Sequence, residues 1–163
     1  MVEYPDGLIR RILDQTKTIA MIGASTNWVR PSNFAMKYLQ QKGYRVIPVN
    51  PSGAGTKIHD EMCYSDLSRI PCEVDMVDIF RRSSDAGKIV DEAIAQKDEK
   101  HIQTIWMQLG VLDEAAAARA EAVGLTVVMD RCPKIEFGRL NHELSWSGIN
   151  SGVISAKRPR LAR

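Results

Sequence analysis

The chain has 163 residues, of which 44% are hydrophobic and 26% charged, and its formal net charge is +2. This length suits a single domain with a sizeable core, and the composition is that of an ordinary soluble globular protein. No apolar run approaches the roughly 18–20 residues of a membrane span and no signal peptide is visible, so we expect a cytoplasmic protein with no membrane partner.

The positive charge is concentrated at the C-terminal end, where the last seven residues hold Lys157, Arg158, Arg160 and Arg163. Leaving these four out of the 22 lysines and arginines gives 18 cationic residues against 20 acidic ones. A nucleic-acid-binding domain normally carries a basic surface of its own, so we do not expect a nucleic-acid partner. We expect residues 141–163 to form an extension with a flexible basic end.

Cysteine and histidine usage predicts neither a disulfide framework nor a metal site. The three cysteines, Cys63, Cys72 and Cys132, show no CxxC spacing, and an odd number excludes a complete set of disulfides within one chain. The three histidines are scattered along the chain without helical pairing.

The predicted elements begin with a short amphipathic helix over residues 7–15. A buried strand follows at Thr18–Ile22, because its apolar character is continuous. Pro31 suits the first position of a helix, which we expect to end at Gly43.

Residues 44–51 predict a second strand, in which Pro48 cannot donate a ladder hydrogen bond. We therefore expect Pro48 at a strand end or on a sparsely paired side. Residues 52–73 predict a loop-rich crossover with a short helical turn near residues 65–70.

The remaining strands are predicted at residues 74–80, 101–107 and 125–129. Between them lie two helices, one capped by Ser83 or Ser84 and one running from an Asp113 cap to Gly124.

Strands and helices alternate with short connections, a pattern typical of a parallel sheet covered on both faces. We predict one Rossmann-like, doubly wound α/β domain over residues 1–140, with a mainly parallel five-stranded sheet and helices on both faces. In such folds ligands bind beyond the carboxyl ends of the strands, where the strand order reverses.

The first strand ends in a run of small residues: Gly23, Ala24, Ser25 and Thr26. Backbone N–H groups and the dipole of the following helix make such a turn an anion site. A full dinucleotide fingerprint would also need glycines at positions 25 and 28, where the chain has Ser25 and Trp28.

The second strand argues against a nicotinamide dinucleotide, which usually needs an Asp or Glu there for the ribose. The strand ends instead in Asn50-Pro51, a pair that could also do no more than shape a turn. Positive charge for a phosphate comes from Arg30, Arg81 and Arg82, of which we favour Arg30.

Six segments then occur in order: IGAS at 22–25, RPS at 30–32, VNP at 49–51, DIFRR at 78–82, WMQLG at 106–110 and VMDRC at 128–132. Together they resemble the small stand-alone coenzyme A-binding proteins, which are similar to the CoA-binding domain of the succinyl-CoA synthetase α subunit. The resemblance covers residues 8–140.

The resemblance implies a domain that binds CoA or an acyl-CoA without a partner domain. It assigns to the CoA phosphates Gly23, Ala24, Ser25, Thr26 and the nearby cation Arg30. It assigns to the adenosine end Asn50 and Pro51, to the third-strand segment beside the nucleotide Phe80 and Arg81, and to the pantetheine path Met107, Gln108 and Leu109.

No catalytic constellation is visible, and the chain is too short for the synthetase domain that carries a phosphorylated histidine. Cys132 is the one candidate nucleophile, with Arg131 favouring and Asp130 opposing its thiolate; it could pair with the CoA thiol or simply be buried. Asp75 and Asp78 lie three residues apart on a strand and so point to opposite faces, which argues against an acid/base pair; we expect one of them to cap a helix or pair with an arginine. We interpret the three tryptophans as packing residues.

Two alternatives stay open beside a non-catalytic CoA-binding protein. One is an NAD(P)-type nucleotide-binding oxidoreductase, which only the fold favours. The other is a CoA-sensing accessory subunit of an acyl-CoA ligase. A homo-oligomer or a partner enzyme is compatible with either.

Overall fold

A computed structural model describes residues 2–142. The predicted basic extension and Trp146 thus lie outside the described residues, apart from positions 141 and 142. The strands are β1 (Thr18–Ile22), β2 (Arg45–Val49), β3 (Lys57–Ile58), β4 (Glu61–Met62), β5 (Met76–Ile79), β6 (Thr104–Met107) and β7 (Thr126–Val128). The helices are α1 (Asp6–Gln15), α2 (Pro31–Gln41), α3 (Ser83–Ala95), α4 (Lys97–Lys100), α5 (Glu114–Ala122) and α6 (Pro133–Leu140).

Five strands form one sheet in the order β2-β1-β5-β6-β7, with every neighbouring pair parallel. Apolar residues of α3 and α5 pack on one face of this sheet. Those of α1, α2 and α6 pack on the other. This arrangement confirms the predicted doubly wound α/β fold. Helices cover both faces because strands of continuous apolar character must be buried on both sides.

Pro48 lies inside β2, and β2 is an edge strand of the sheet. The Pro48 carbonyl accepts a hydrogen bond from the Tyr64 N–H at 3.0 Å, on the side away from β1. The missing N–H therefore falls on the sparsely paired side, as predicted.

Several features of the chain differ from the prediction. Residues 57–62 form a hairpin of two-residue strands, too short to show any periodicity in the sequence. The interpretation of Ser83 or Ser84 as a helix cap is wrong, because Arg82 precedes α3 and makes no side-chain cap. The Ser83 hydroxyl instead accepts from the Leu112 N–H at 2.9 Å, tying α3 to the β6–α5 connection.

The Asp113 cap is confirmed, since its Oδ1 accepts from the Ala116 N–H at 2.9 Å. Helix α6 was not predicted, although Pro133 stands at its first position, where proline is favoured. No helix among the described residues is long and apolar enough to cross a membrane.

Candidate functional site

The strand order reverses between β1 and β5, which lie side by side and send their connections to opposite faces of the sheet. Gly23 follows β1 and Phe80 follows β5 at the same edge. The crevice where ligands bind in such folds is therefore lined by the first loop and the Phe80–Arg82 segment.

Gly23 is where three strand ends come into contact. Its φ is +92°, and a Cβ there would stand 2.3 Å from the Phe80 carbonyl oxygen. Its N–H donates to the Val49 carbonyl at 2.8 Å. A glycine is required at this position for both conformation and space.

The loop after Gly23 is held by side chains from two elements. Asn50 Nδ2 donates to the Ala24 carbonyl at 2.8 Å, and Asn33 Nδ2 donates to the Ser25 carbonyl at 2.9 Å. The Ser25 N–H donates to Ser32 Oγ at 3.1 Å. Asn50 therefore does more than shape a turn, because it also fixes the path of the loop.

The second half of the loop is exposed and leaves backbone donors open. Ser25 Oγ accepts from the Asn27 N–H, and Asn27 Oδ1 accepts from the Val29 N–H, each at 3.1 Å. Within residues 2–142, the N–H groups of Thr26 and Trp28 have no hydrogen-bond acceptor. The Trp28 side chain is 73% exposed, so the interpretation of Trp28 as a packing residue is wrong.

Arg81 is the central cation of the site. It is half-buried, with its Cδ against Gly23 and its Nη2 3.5 Å from Asn50 Oδ1. Arg82 is exposed and pairs with Asp85 at 3.5 Å. Arg30 is also exposed, so geometry favours Arg81 over the arginine that the sequence favoured.

Arg81 stands between two clefts. The first has a volume of about 910 Å³ and includes among its lining residues Phe34, Phe80, Gln108, Leu109 and Cys132. The second, of about 530 Å³, includes Pro51, Asp66, Ser84 and Lys88. Arg81 lines both, so one ligand could occupy the two clefts across it.

A buried polar group lies beneath the first cleft. Asp78 is fully buried, its Oδ1 accepts from Gln108 Nε2 at 3.4 Å, and its Oδ2 has no partner within the described residues. Burial raises the pKa of Asp78 well above its ordinary value. Within residues 2–142, Asp78 therefore caps no helix and pairs with no arginine.

Cys132 lines the first cleft at the start of α6, and its burial raises the pKa of the thiol. The residues expected to tune it are engaged elsewhere. Arg131 Nη2 donates to the Val2 carbonyl at 2.6 Å, and Asp130 Oδ1 accepts from the Gly110 N–H at 2.7 Å. The predicted influence of Arg131 and Asp130 on the thiolate is therefore wrong.

Two other residues have structural roles. Asp75 Oδ2 accepts from the N–H groups of Lys17 and Thr18, both at 2.9 Å. In the described part of the chain neither Asp75 nor Asp78 caps a helix or pairs with an arginine, so the prediction that one of them does so is wrong there. Trp106 is fully buried and donates its Nε1–H to the Arg131 carbonyl at 2.8 Å. The prediction that Trp106 is a packing residue is confirmed.

The predicted site residues divide by position. Phe80, Arg81, Gln108 and Leu109 line the first cleft. Pro51 lines the second, while Gly23, Ala24, Ser25, Thr26, Arg30 and Asn50 form or border the loop beside them. Met107 is fully buried in the core, so its side chain does not line the first cleft as the resemblance implied.

Sequence reasoning missed Lys134 and Ile135, which line the first cleft from α6. Lys134 Nζ lies 5.8 Å from the centre of the Phe34 ring, and burial lowers the pKa of its ammonium. The helix-start signal of Pro133 could have placed both residues at this edge. No three His, Cys, Asp or Glu side chains of the described residues are grouped to hold a metal ion.

Comparisons with known proteins show the family of the chain. The family model of the CoA binding domain matches residues 17–138. The protein YneT of Bacillus subtilis is 34% identical over 130 residues, covering 78% of this chain and 90% of YneT. A solved hypothetical protein from Pyrococcus horikoshii is 33% identical with a TM-score of 0.77, covering 86% of this chain and 99% of its own.

A second curated relative is much longer. The ADP-forming acetate–CoA ligase II of Archaeoglobus fulgidus is 36% identical over 95 residues, which are 57% of this chain but 13% of the ligase. The shared part is thus a small region of that enzyme. The chain belongs to the CoA binding domain family and is homologous to the CoA-binding region of the ADP-forming ligases.

Proposed function

We propose that this protein binds coenzyme A or an acyl-CoA at the carboxyl edge of its sheet and does not itself catalyse a reaction. The observation that carries the proposal is the position of Arg81 between two clefts, beside a loop with open N–H donors. Membership of the CoA binding domain family supports this ligand over other phosphorylated ones.

The electrostatics of this edge suit the CoA phosphates. Helices α2, α3 and α6 begin here, so the positive ends of their dipoles lie near the clefts. The Arg81 guanidinium can form charge-assisted hydrogen bonds with phosphate, and the N–H groups of Thr26 and Trp28 supply neutral donors.

The first cleft suits the pantetheine arm, which combines an apolar chain with amides. Its walls carry Phe80 and Leu109, and its floor carries the Gln108 amide. Gln108 is already oriented by Asp78, so it is prepared to exchange hydrogen bonds with a ligand amide.

The state of the polar side chains supports binding without catalysis. A thiol whose pKa is raised, as at Cys132, is largely protonated at neutral pH and is a weak nucleophile. Asp78 is fully buried and does not line the first cleft, so its carboxyl group is not placed to act as a general base on a bound ligand.

Calorimetry with CoA, dephospho-CoA, acetyl-CoA and NAD tests the proposal. We expect micromolar CoA binding, equivalent to roughly −8 kcal/mol, and weaker binding of NAD. Arg81→Gln is expected to weaken CoA binding by about tenfold or more. The matched control is Arg11→Gln, which should leave CoA binding unchanged because Arg11 lies on the exposed side of α1. NAD binding tighter than CoA would overturn the proposal in favour of the oxidoreductase alternative.

A second candidate, a CoA-sensing accessory subunit of an acyl-CoA ligase, is favoured by the match to part of the Archaeoglobus ligase. Co-purification of this chain with an acyl-CoA-forming enzyme, dependent on added CoA, would support it. Co-purification that CoA does not affect would contradict CoA sensing.

A further inference from the structure

Exposed apolar side chains are concentrated at the mouth of the first cleft. Among the described residues, seven large hydrophobic side chains are exposed: Trp28, Val29, Phe34, Met62, Leu109, Leu112 and Val123. Val29, Phe34 and Leu109 line the first cleft, with exposures of 57%, 39% and 56%. Single exposed hydrophobics need no explanation, but a group around one cleft indicates a binding surface.

Two more of the seven adjoin this group in the chain. Trp28 precedes Val29, and Leu112 follows Val111, which also lines the cleft. Of the seven exposed hydrophobics of residues 2–142, three therefore line one cleft and two are chain neighbours of its lining residues. The other two, Met62 and Val123, lie singly on β4 and just after α5.

The apolar surface continues from the mouth into the cleft. Ala35 and Ile135 line its walls between the starts of α2 and α6, and Phe80 and Val111 line it from the strand ends. The cleft volume of about 910 Å³ lies near the upper end of the roughly 300–1,000 Å³ typical of small-molecule sites. It therefore has room for apolar groups beyond a pantetheine arm.

The cations of the cleft are already engaged with neighbouring groups. Lys134 Nζ lies over the rings of Phe34 and Tyr38, at 5.8 and 5.5 Å from their centres. Arg82 pairs with Asp85. Arg81 is assigned to phosphate in the proposed function, so no cation of the cleft is set aside for a carboxylate on the acyl group.

We propose that the first cleft binds the apolar acyl chain of a CoA thioester, with the chain lying along Val29, Phe34 and Leu109. This inference rests on the proposed function, since it names the class of acyl group carried by the bound CoA. Burial of these side chains and of the acyl chain from water supplies the selectivity. No bond is made or broken.

Calorimetry with CoA, butyryl-CoA, octanoyl-CoA and succinyl-CoA tests the inference. Each methylene that is fully buried raises affinity by up to about fourfold, so octanoyl-CoA should bind at least about tenfold more tightly than CoA. Succinyl-CoA should bind no more tightly than CoA. Equal affinities for CoA and octanoyl-CoA, or a preference for succinyl-CoA, would overturn the inference while leaving the proposed function intact. Absence of binding by every CoA species would instead overturn the proposed function.

Two variants locate the acyl chain. Val29→Ser and Phe34→Ser should each lower the ratio of octanoyl-CoA to CoA affinity by threefold or more. Val29 is highly exposed, so Val29→Ser should fold even if Phe34→Ser does not. Met62→Ser is the matched control, because Met62 is exposed but distant in the chain from the cleft, and the ratio should not change. The proposed position of the acyl chain would be contradicted if Val29→Ser left the ratio of octanoyl-CoA to CoA affinity unchanged, or if Met62→Ser lowered that ratio equally.

Discussion

The site has an inner layer and an outer layer that differ in what their residues contact. The inner layer, Gly23, Ala24, Asn50, Asp78 and Gln108, is in contact with strand ends and is largely withdrawn from water. The outer layer, which comprises residues 26–30 and Leu109, is exposed. Different residues therefore shape the site and contact the ligand. Changes in the inner layer should alter stability, and changes in the outer layer should alter binding alone.

Gly23→Ala should give the largest effect and is the strongest test of the inner layer. A Cβ at Gly23 would meet the Phe80 carbonyl at 2.3 Å while the backbone remains at φ +92°. Left-handed strain and overpacking together should lower the free energy of unfolding by about 3 kcal/mol or more. Urea unfolding measures the change.

Gly124→Ala is the matched control for that variant. Gly124 has a similar φ of +90° but nothing within 4 Å of its Cβ position. Gly124→Ala should lower the free energy of unfolding only through the strained left-handed backbone, by about 1–2 kcal/mol. Equal losses at the two positions would show that the approach of Phe80 to Gly23 is unimportant.

Asp78→Asn tests the inner layer through pH. The folded-state pKa of Asp78 lies above its ordinary value of 3.8, because burial disfavours the carboxylate. The folded protein therefore holds the proton more tightly than the unfolded chain does. This contribution to stability is complete below the unfolded pKa and is lost as pH rises from there to the folded pKa.

Asparagine has a similar shape and no such titration. The stability of Asp78→Asn relative to wild type should therefore be greater at pH 8 than at pH 4. Urea unfolding at the two pH values measures this difference. If the free energy of unfolding of Asp78→Asn relative to wild type is the same at pH 4 and pH 8, Asp78 has an ordinary pKa in the folded protein.

Asn50→Ala should have a smaller effect on stability. The variant loses the hydrogen bond to the Ala24 carbonyl and the cap of the turn at Ser52. We expect a loss of about 1–2 kcal/mol in the free energy of unfolding, with weaker CoA binding as the loop loosens. Thermal unfolding and calorimetry together measure both effects.

The matched control for Asn50→Ala is Asn141→Ala. Asn141 Nδ2 also donates to a backbone carbonyl, that of Phe137, but at an exposed helix end. Asn141→Ala should change the free energy of unfolding by no more than about 0.5 kcal/mol, as most surface substitutions do. If Asn141→Ala lowered the free energy of unfolding as much as Asn50→Ala, the Asn50 contacts would contribute no more than an exposed hydrogen bond at a helix end.

Arg30→Ala should have the smallest effect and tests the outer layer. Arg30 is exposed and makes no ion pair within the described residues, so the free energy of unfolding should change by less than about 0.5 kcal/mol. CoA binding should weaken by about 0.5–1 kcal/mol, as for an exposed charge pair. A loss in affinity larger than that of Arg81→Gln would reverse the order of the two arginines.

The strands and the loop after β1 could be predicted because their signals are local. A continuous apolar run marks β1, and Pro31 marks the start of α2. The contacts of single side chains could not be predicted in this way. Whether Asp78 meets an arginine or a glutamine depends on which strands become neighbours, and sequence spacing does not contain that information.

The same limit explains why the sequence favoured Arg30 and placed Met107 on the pantetheine path. Both stand in the right segments, yet Arg30 is turned to solvent and Met107 to the core. Alternation along a strand decides which of two adjacent residues faces a cleft, as for Met107 and Gln108, and a buried parallel strand shows no alternation in hydrophobicity. Lys134 was missed because α6 itself was missed.

The edge of the sheet at β2 determines how copies of this chain can associate. Pro48 offers no N–H on the outer side of β2, and its carbonyl is already bound by the Tyr64 N–H. An incoming strand would therefore find neither donor nor acceptor at that residue. Addition of a strand from another copy to β2 is therefore disfavoured at Pro48.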